Sequence, residues 1–333
     1  MNIGTVTATA ASDAWVTKPA PEVSVIVATH NRVAFLAGLL EALDAQTVAV
    51  EVVIADDGSS DGTWGWLEAI TASTPLPVLA LRLEHTGGPS VPRNTAATHA
   101  RGRLLAITDD DCLPEPEWTA QLVGALDSGA WIAQGRTLPV EAAHGPWDRA
   151  VHVTEPTSLY ETCNLGLVRR HFVELGGFPT FTLLAELPRG FGEDVVLGAR
   201  AAREGGFAWA DDAVVRHRWI TTSYREHLDG LRRLAGFPWL AREVPEVADR
   251  LHARIFLSRR TMEYDAALAS TLLAVATRRP LLLVGAAPWL RARVRAARNK
   301  QRPVARLARE AVADTVGFVA LVRGSIRHRR PVL

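Results

Sequence analysis

The chain has 333 residues, of which 48% are hydrophobic and 22% charged, with a formal net charge of only +1. This excludes a disordered chain and leaves room for one large or two moderate hydrophobic cores. The near-neutral total hides a division: residues 1–250 hold 20 Lys and Arg against 32 Asp and Glu, whereas residues 251–333 hold 17 against 4, so an acidic body precedes a basic end suited to an anionic partner.

In chain order, residues 1–21 are mixed and polar. They lack an apolar core behind a basic cluster, so no secretory signal is read; a flexible N-terminus and a cytoplasmic setting are expected. Val23–Ala28, Val50–Ala55, Val78–Leu83 and Leu104–Thr108 are apolar at nearly every position, as strands covered on both faces are. Ala34–Gln46, Thr63–Thr71 and Val91–Ala100 between them have helical spacing. This alternation predicts a doubly wound, mostly parallel sheet over residues 22–136, with ligands bound beyond the carboxyl ends of its strands. Over residues 137–224 the order loosens: a strand at Thr162–Val168, helices at Arg170–Leu175 and Asp194–Glu204 each ended by paired glycines, and a short strand at Val214–His217. Residues 225–333 read as helical, arginine-rich segments broken by prolines. The two cysteines, Cys112 and Cys163, have neither CxxC nor zinc-finger spacing and read as reduced thiols.

The segments after the strands are polar: Thr29-His30-Asn31-Arg32, Asp56-Asp57-Gly58-Ser59, His85-Thr86-Gly87-Gly88 leading to Arg93-Asn94, and Asp109-Asp110-Asp111. Three adjacent carboxylates behind an apolar strand repel one another unless a cation is shared. On an extended segment Asp109 and Asp111 point the same way and reach one ion, with Mg²⁺ or Mn²⁺ suited to hard oxygen ligands. The competing reading is a solvated acidic turn. Asp57 can accept hydrogen bonds from a ribose or a base, while Ser60 or Asp61 caps the next helix. Glu193-Asp194 is either an acidic helix start or a general base. His217 is a structural histidine or a further metal ligand.

These runs together resemble the family 2 glycosyltransferases of the GT-A fold. The match begins with Val23–Arg32 and Glu51–Thr63. It continues through Pro92-Arg93-Asn94, Asp109-Asp110-Asp111, Asn164, Gly176-Gly177-Phe178 and Gly192-Glu193-Asp194 to His217. The resemblance implies a nucleotide-sugar donor, UDP being the usual nucleotide, and transfer of the sugar to a hydroxyl with inversion. It implies that Asp57 contacts the base with Thr29 and Arg32 nearby. Asp109 and Asp111, with Asp110 between them, form the DxD element that meets ribose and metal-bound diphosphate. Arg93 and Asn94 line the donor side and Asn164 the sugar or acceptor side, Asp194 beside Glu193 deprotonates the acceptor, and His217 helps hold the metal. No QxxRW motif follows His217, which implies single-sugar addition.

No apolar run reaches the roughly 18–20 residues that cross a bilayer: Ala266–Thr277, Pro280–Leu290 and Ala311–Val322 each stop at arginine. With the cationic blocks Arg291, Arg293, Arg295, Arg298, Lys300, Arg302 and Arg327, Arg329, Arg330, they suggest peripheral attachment of residues 251–333 to an anionic membrane and a lipid-linked or other glycan acceptor. A helical subdomain with solvated arginines competes with that reading. No nucleic-acid motif is present. Two other functions fit less well. A sugar nucleotidyltransferase needs a Gly-rich phosphate loop after the first strand, and an inactive scaffold of the same fold should have lost carboxylates that this chain keeps.

Overall fold

The four apolar runs form the middle of a nine-stranded sheet in the computed structural model, which describes residues 1–140, 145–180, 190–297 and 303–333. The strands are β1 (Val6–Ala11), β2 (Val23–Thr29), β3 (Val50–Asp56), β4 (Val78–Leu83), β5 (Leu104–Asp109), β6 (Cys112–Pro114), β7 (Ile132–Pro139), β8 (Leu165–Val168) and β9 (Phe207–His217). Their order is β1-β4-β3-β2-β5-β8-β7-β9-β6. The centre, β4-β3-β2-β5, is parallel, as the strand–helix alternation predicts. Beyond it the sheet is mixed: β1, β8 and β6 pair antiparallel with their neighbours, while β7 and β9 run parallel.

Helices α1 (Asp13–Thr17), α2 (Val33–Asp44), α3 (Thr63–Thr71), α4 (Ser90–His99), α5 (Trp118–Asp127), α6 (Arg169–Glu174) and α7 (Glu193–Gly205) join these strands. In α2, Leu36, Leu39, Leu40 and Leu43 recur on one face and are all buried; each contributes on the order of 2 kcal/mol through apolar burial. Because β2, β3 and β5 run parallel in register, Thr29 lies opposite Asp56, and Ala28 opposite Asp109. Three polar strand ends therefore open at one edge of the sheet.

The N-terminus is not the flexible segment expected over 1–21. β1 pairs with β4, and its residues alternate between half-buried and exposed. The Ser12 hydroxyl ties it down, donating to the Leu76 carbonyl at 2.8 Å and accepting from the Val78 N–H at 3.0 Å. The Arg101 guanidinium stacks 4.0 Å from the Trp15 ring and donates to Glu51 at 2.6 Å. β9 is likewise longer than the Val214–His217 strand predicted. Its register against β7 slips between Gly135 and Arg136, so that Asp211 and Asp212 bulge outward, exposed. At the slip the backbones are close enough that a Cβ on Gly135 would strike the Ala213 carbonyl.

The chain divides into two units, Met1–Thr221 and Thr222–Leu333. The second is helical, with α8 (Tyr224–Leu231), α9 (Phe237–Glu243), α10 (Pro245–Asp249), α11 (Arg259–Thr277), α12 (Ala287–Ala297) and α13 (Pro303–His328). Capping boxes at Ser223 and Ser258 start α8 and α11. Inside the unit Arg260 pairs with Glu310 and Asp314, and the Trp289 indole donates to Asp314 at 2.8 Å. Of the first cationic block, Arg298, Lys300 and Arg302 lie outside the described residues. No helix among the described residues is long and apolar enough to cross a membrane.

Candidate active site

At the end of β5 the chain turns at Asp110 and Asp111 before entering β6, and this turn sends the three carboxylates to three different partners. Asp109 accepts from Arg93 Nη2 at 2.7 Å. Asp110 accepts from the Thr29 hydroxyl at 2.8 Å. Asp111 lies 3.3 Å from Arg32 Nη1 and 3.5 Å from His217 Nε2. An extended segment with Asp109 and Asp111 on one ion is therefore not what forms. Asp111 instead shares its space with His217, because β6 pairs with the end of β9, Cys112 opposite His217, and the Arg218 N–H donates to the Asp111 carbonyl at 3.0 Å.

Among the described residues, Asp111, Cys112 and His217 offer ligand atoms within 4.8 Å of one another. Burial pushes the Cys112 thiol well up, and its soft sulfur is a poor match for a hard ion. His217 Nδ1 lies 2.7 Å from the Arg218 carbonyl, to which it donates; in the neutral ring this leaves the Nε2 lone pair facing Asp111. Burial first, and the neighbouring carboxylates next, push Asp110 up to about 7 and raise Asp111, against the pull of Arg32. Buried carboxylates crowded in this way favour a bound cation. One carboxylate and one imidazole nitrogen fit Mn²⁺ or Mg²⁺, with the remaining positions open to phosphate oxygens.

Asp57 is buried, and burial raises its carboxyl. Its Oδ1 accepts the Gly87 N–H at 2.8 Å, while the Thr86 hydroxyl and His30 Nδ1 donate to its carbonyl at 3.1 and 2.8 Å. The loop after β4 thus closes onto the carboxylate after β3.

Gly192 precedes α7 with φ 74°, a conformation that favours glycine, and turns Glu193 and Asp194 into the first helical turn. Burial and then the adjacent Glu193 raise the Asp194 carboxyl well above its ordinary value, while Arg93 opposes them. Glu193 is buried, 3.7 Å from Arg93 Nη1, and its Oε2 has no hydrogen-bond partner. Arg93 is buried too. Its charge is held against desolvation by Asp109, Glu193 and Asp194, so one guanidinium joins the end of β5 to the start of α7.

Asn94 and Asn164, expected to face donor and acceptor, do neither. Asn94 is fully buried, exchanging bonds of 2.8 Å with the Phe178 N–H and carbonyl and donating to Asn2. Asn164 is fully buried as well, accepting from the Trp118 indole at 2.8 Å and donating to the Arg136 and Ala213 carbonyls at 2.8 and 2.7 Å. Both are braces. Asn164→Ala is expected to lower the unfolding free energy by roughly 3 kcal/mol, because three buried groups lose a partner; a denaturant titration checks this.

Two residues escaped the sequence reading. Arg218 was visible only as one more cation beside His217. Its guanidinium lies 5.9 Å from the Phe35 ring, that of Arg32 lies 5.2 Å from the same ring, and the Arg218 Nε is buried without a partner. Glu161, bonded to Gln134 at 2.7 Å, adds to the negative field at Asp194. No motif marks either residue; only the fold brings them in.

Residues 24–181 match the model of glycosyl transferase family 2. The succinoglycan biosynthesis protein ExoO of Rhizobium meliloti is 35% identical over 116 residues, 34% of this chain and 32% of that protein. The Escherichia coli UDP-Glc:alpha-D-GlcNAc-diphosphoundecaprenol beta-1,3-glucosyltransferase WfaP is 31% identical over 90 residues, 27% of this chain and 35% of its own length. The chain thus spans about a third of the length of these curated relatives. Among solved structures, a mannosyltransferase from Pyrobaculum calidifontis in complex with GDP-Man and Mn2+ superposes with a TM-score of 0.57 at 21% identity, covering 95% of this chain and 91% of that one. That likeness establishes the fold, the Rossmann-like α/β architecture of GT-A glycosyltransferases. The likeness to glycosyl transferase family 2 is thus carried by residues 24–181, just under half of the chain.

Proposed function

We propose that the protein transfers a single sugar from a nucleoside-diphosphate sugar, a UDP-sugar in the first instance, to a hydroxyl of a glycan or lipid-linked acceptor, with inversion at the anomeric carbon. The setting would be cell-envelope polysaccharide synthesis on the cytoplasmic side of the membrane. The observation that carries this reading is the convergence at one sheet edge of three elements: Asp57, the Asp111–His217 pair flanked by Arg32 and Arg218, and the Glu193-Asp194 turn with its buried Glu193. The relatives' names agree with it, since that of WfaP specifies a UDP-sugar and a polyprenyl diphosphate acceptor.

In this reading Asp57, with Thr29 nearby, holds the base, and Asp110 meets the ribose. Asp111 and His217 would hold Mn²⁺ or Mg²⁺, which when bound supplies positive charge to the diphosphate. Arg32 and Arg218 face the same group and stabilise the charge that grows as the glycosidic bond breaks. Asp194 takes the proton from the acceptor hydroxyl as its oxygen attacks the anomeric carbon opposite the leaving group. A single displacement inverts the centre and requires no covalent enzyme intermediate.

The test is to incubate the protein with UDP-, GDP- and dTDP-sugars plus Mn²⁺ and to follow nucleoside diphosphate release. The configuration of the product is read by NMR before it equilibrates. One donor should be consumed and its anomeric centre inverted; retention would contradict the single displacement.

A further inference from the structure

The helical unit carries a feature that sugar transfer does not use. α11 ends at Arg278, whose φ of 57° turns the chain, and a 3₁₀ helix, Pro280–Ala286, runs back along it. A Cβ on Gly285 would meet Ser270, and the Trp289 ring packs edge-on to Tyr264, so the two limbs form an antiparallel hairpin with its tip at Thr277–Pro280. At that outer end Leu281 and Val284 are 87% and 76% exposed, and Leu272, Leu273 and Val275 are each more than half exposed. Among the described residues the first unit exposes five large apolar side chains, Met1, Ile3, Val16, Val140 and Val173, whereas the hairpin exposes seven between Leu272 and Val284. A contiguous apolar patch of this kind marks a docking surface.

We propose that this hairpin tip docks onto the surface of an anionic lipid bilayer, with its leucines and valines among the acyl chains and its arginines at the headgroups. The inference rests on the second unit alone and stands whether or not the first transfers sugar.

Charge decides the occupant. The sequence has no Asp or Glu between Asp265 and Glu310. Arg278, Arg279, Arg291 and Arg295 are exposed and meet no carboxylate among the described residues, whereas Arg260 and Arg293 pair with Glu310. Arg260 lies fifteen residues before Val275 on α11, on the order of 22 Å along the helix axis, so its neutralised cluster is remote from the tip. A second copy docking through the same tip would set arginines against arginines with no acid to offset them. A bilayer with anionic headgroups satisfies both the apolar residues and the cations, and none of these helices is able to cross it.

The experiment is sedimentation of the full chain with vesicles of equal parts phosphatidylglycerol and phosphatidylcholine, compared with phosphatidylcholine alone. Wild type should bind the anionic vesicles, less so as salt is raised. Leu281→Glu with Val284→Glu should weaken binding by more than about tenfold, since both apolar anchors are replaced by charge. Arg278→Ala with Arg279→Ala should weaken it about fivefold per arginine, on anionic vesicles only. All four side chains are exposed, so thermal melts should not change. No vesicle binding by wild type, or equal binding by the glutamate variant, overturns the proposal. So does a wild-type dimer that this variant converts to monomer without any vesicle binding, which would assign the tip to self-association.

Discussion

Asp194→Asn should reduce transfer by about 1000-fold and at the same time raise the melting temperature at neutral pH by a few degrees. Both effects have one origin. The Asp194 carboxyl is held well above its ordinary value by burial and by Glu193 beside it, with Arg93 only partly compensating. A carboxyl whose pKa is higher folded than unfolded stabilises the fold only when protonated. Ionising it therefore costs stability as pH rises from the ordinary carboxylate range through the raised value. Asparagine never ionises, so the variant escapes that cost and loses the base. The acid limb of the kcat/KM profile of wild type should accordingly lie above the pH at which an ordinary carboxylate titrates. A loss of both activity and stability would assign Asp194 to structure; unchanged turnover would remove it from the mechanism.

The second large effect is expected at the turn after β5. Asp111→Ala and His217→Ala should each lower kcat by about 100- to 1000-fold, the range for losing one group that stabilises transition-state charge. The double variant should be little worse than Asp111→Ala. Asp111 and His217 face each other at 3.5 Å and would serve one ion, so removing either disables the pair. Steady-state kinetics across a Mn²⁺ titration check this: each single variant should need more Mn²⁺ than wild type. Fully additive losses would mean that the two side chains act separately. By contrast, Asp109→Asn should act through position, because the Asp109 carboxylate accepts from Arg93, which also reaches Glu193.

The central strands were legible because both of their faces are covered, so β2, β3, β4 and β5 read as unbroken apolar runs. The strand ends followed, and with them the positions of Asp57 and the carboxylate triplet; Glu193-Asp194 was legible as the acidic start of a helix. β1 was not legible: its Val-Thr-Ala-Thr-Ala-Ala sequence alternates, but with side chains too small to mark one face, and only pairing with β4 makes it a strand. β7 hid behind Gly135 and Pro139, and the first half of β9 behind the bulged Asp211-Asp212.

Within the site, the directions of Asp109, Asp110 and Asp111 depend on a turn that spacing cannot announce. The roles of Asn94 and Asn164 depend on whether their amides face the crevice or the backbone. Motif position brings these two residues into the site region, but their hydrogen bonds make them braces. Arg218 and Glu161 join through β9 and the segment before β8, elements far apart in sequence.

The most direct test of a metal-assisted nucleotide-sugar site is calorimetric titration of UDP, GDP, dTDP and CMP, each with and without Mn²⁺, into wild type and Asp111→Ala. One nucleotide should bind wild type only when Mn²⁺ is present, and that binding should vanish in the variant while its melt stays cooperative. Folded wild type that binds none of them, or binding that survives Asp111→Ala unchanged, would contradict the account; the first result would leave a scaffold on a glycosyltransferase fold.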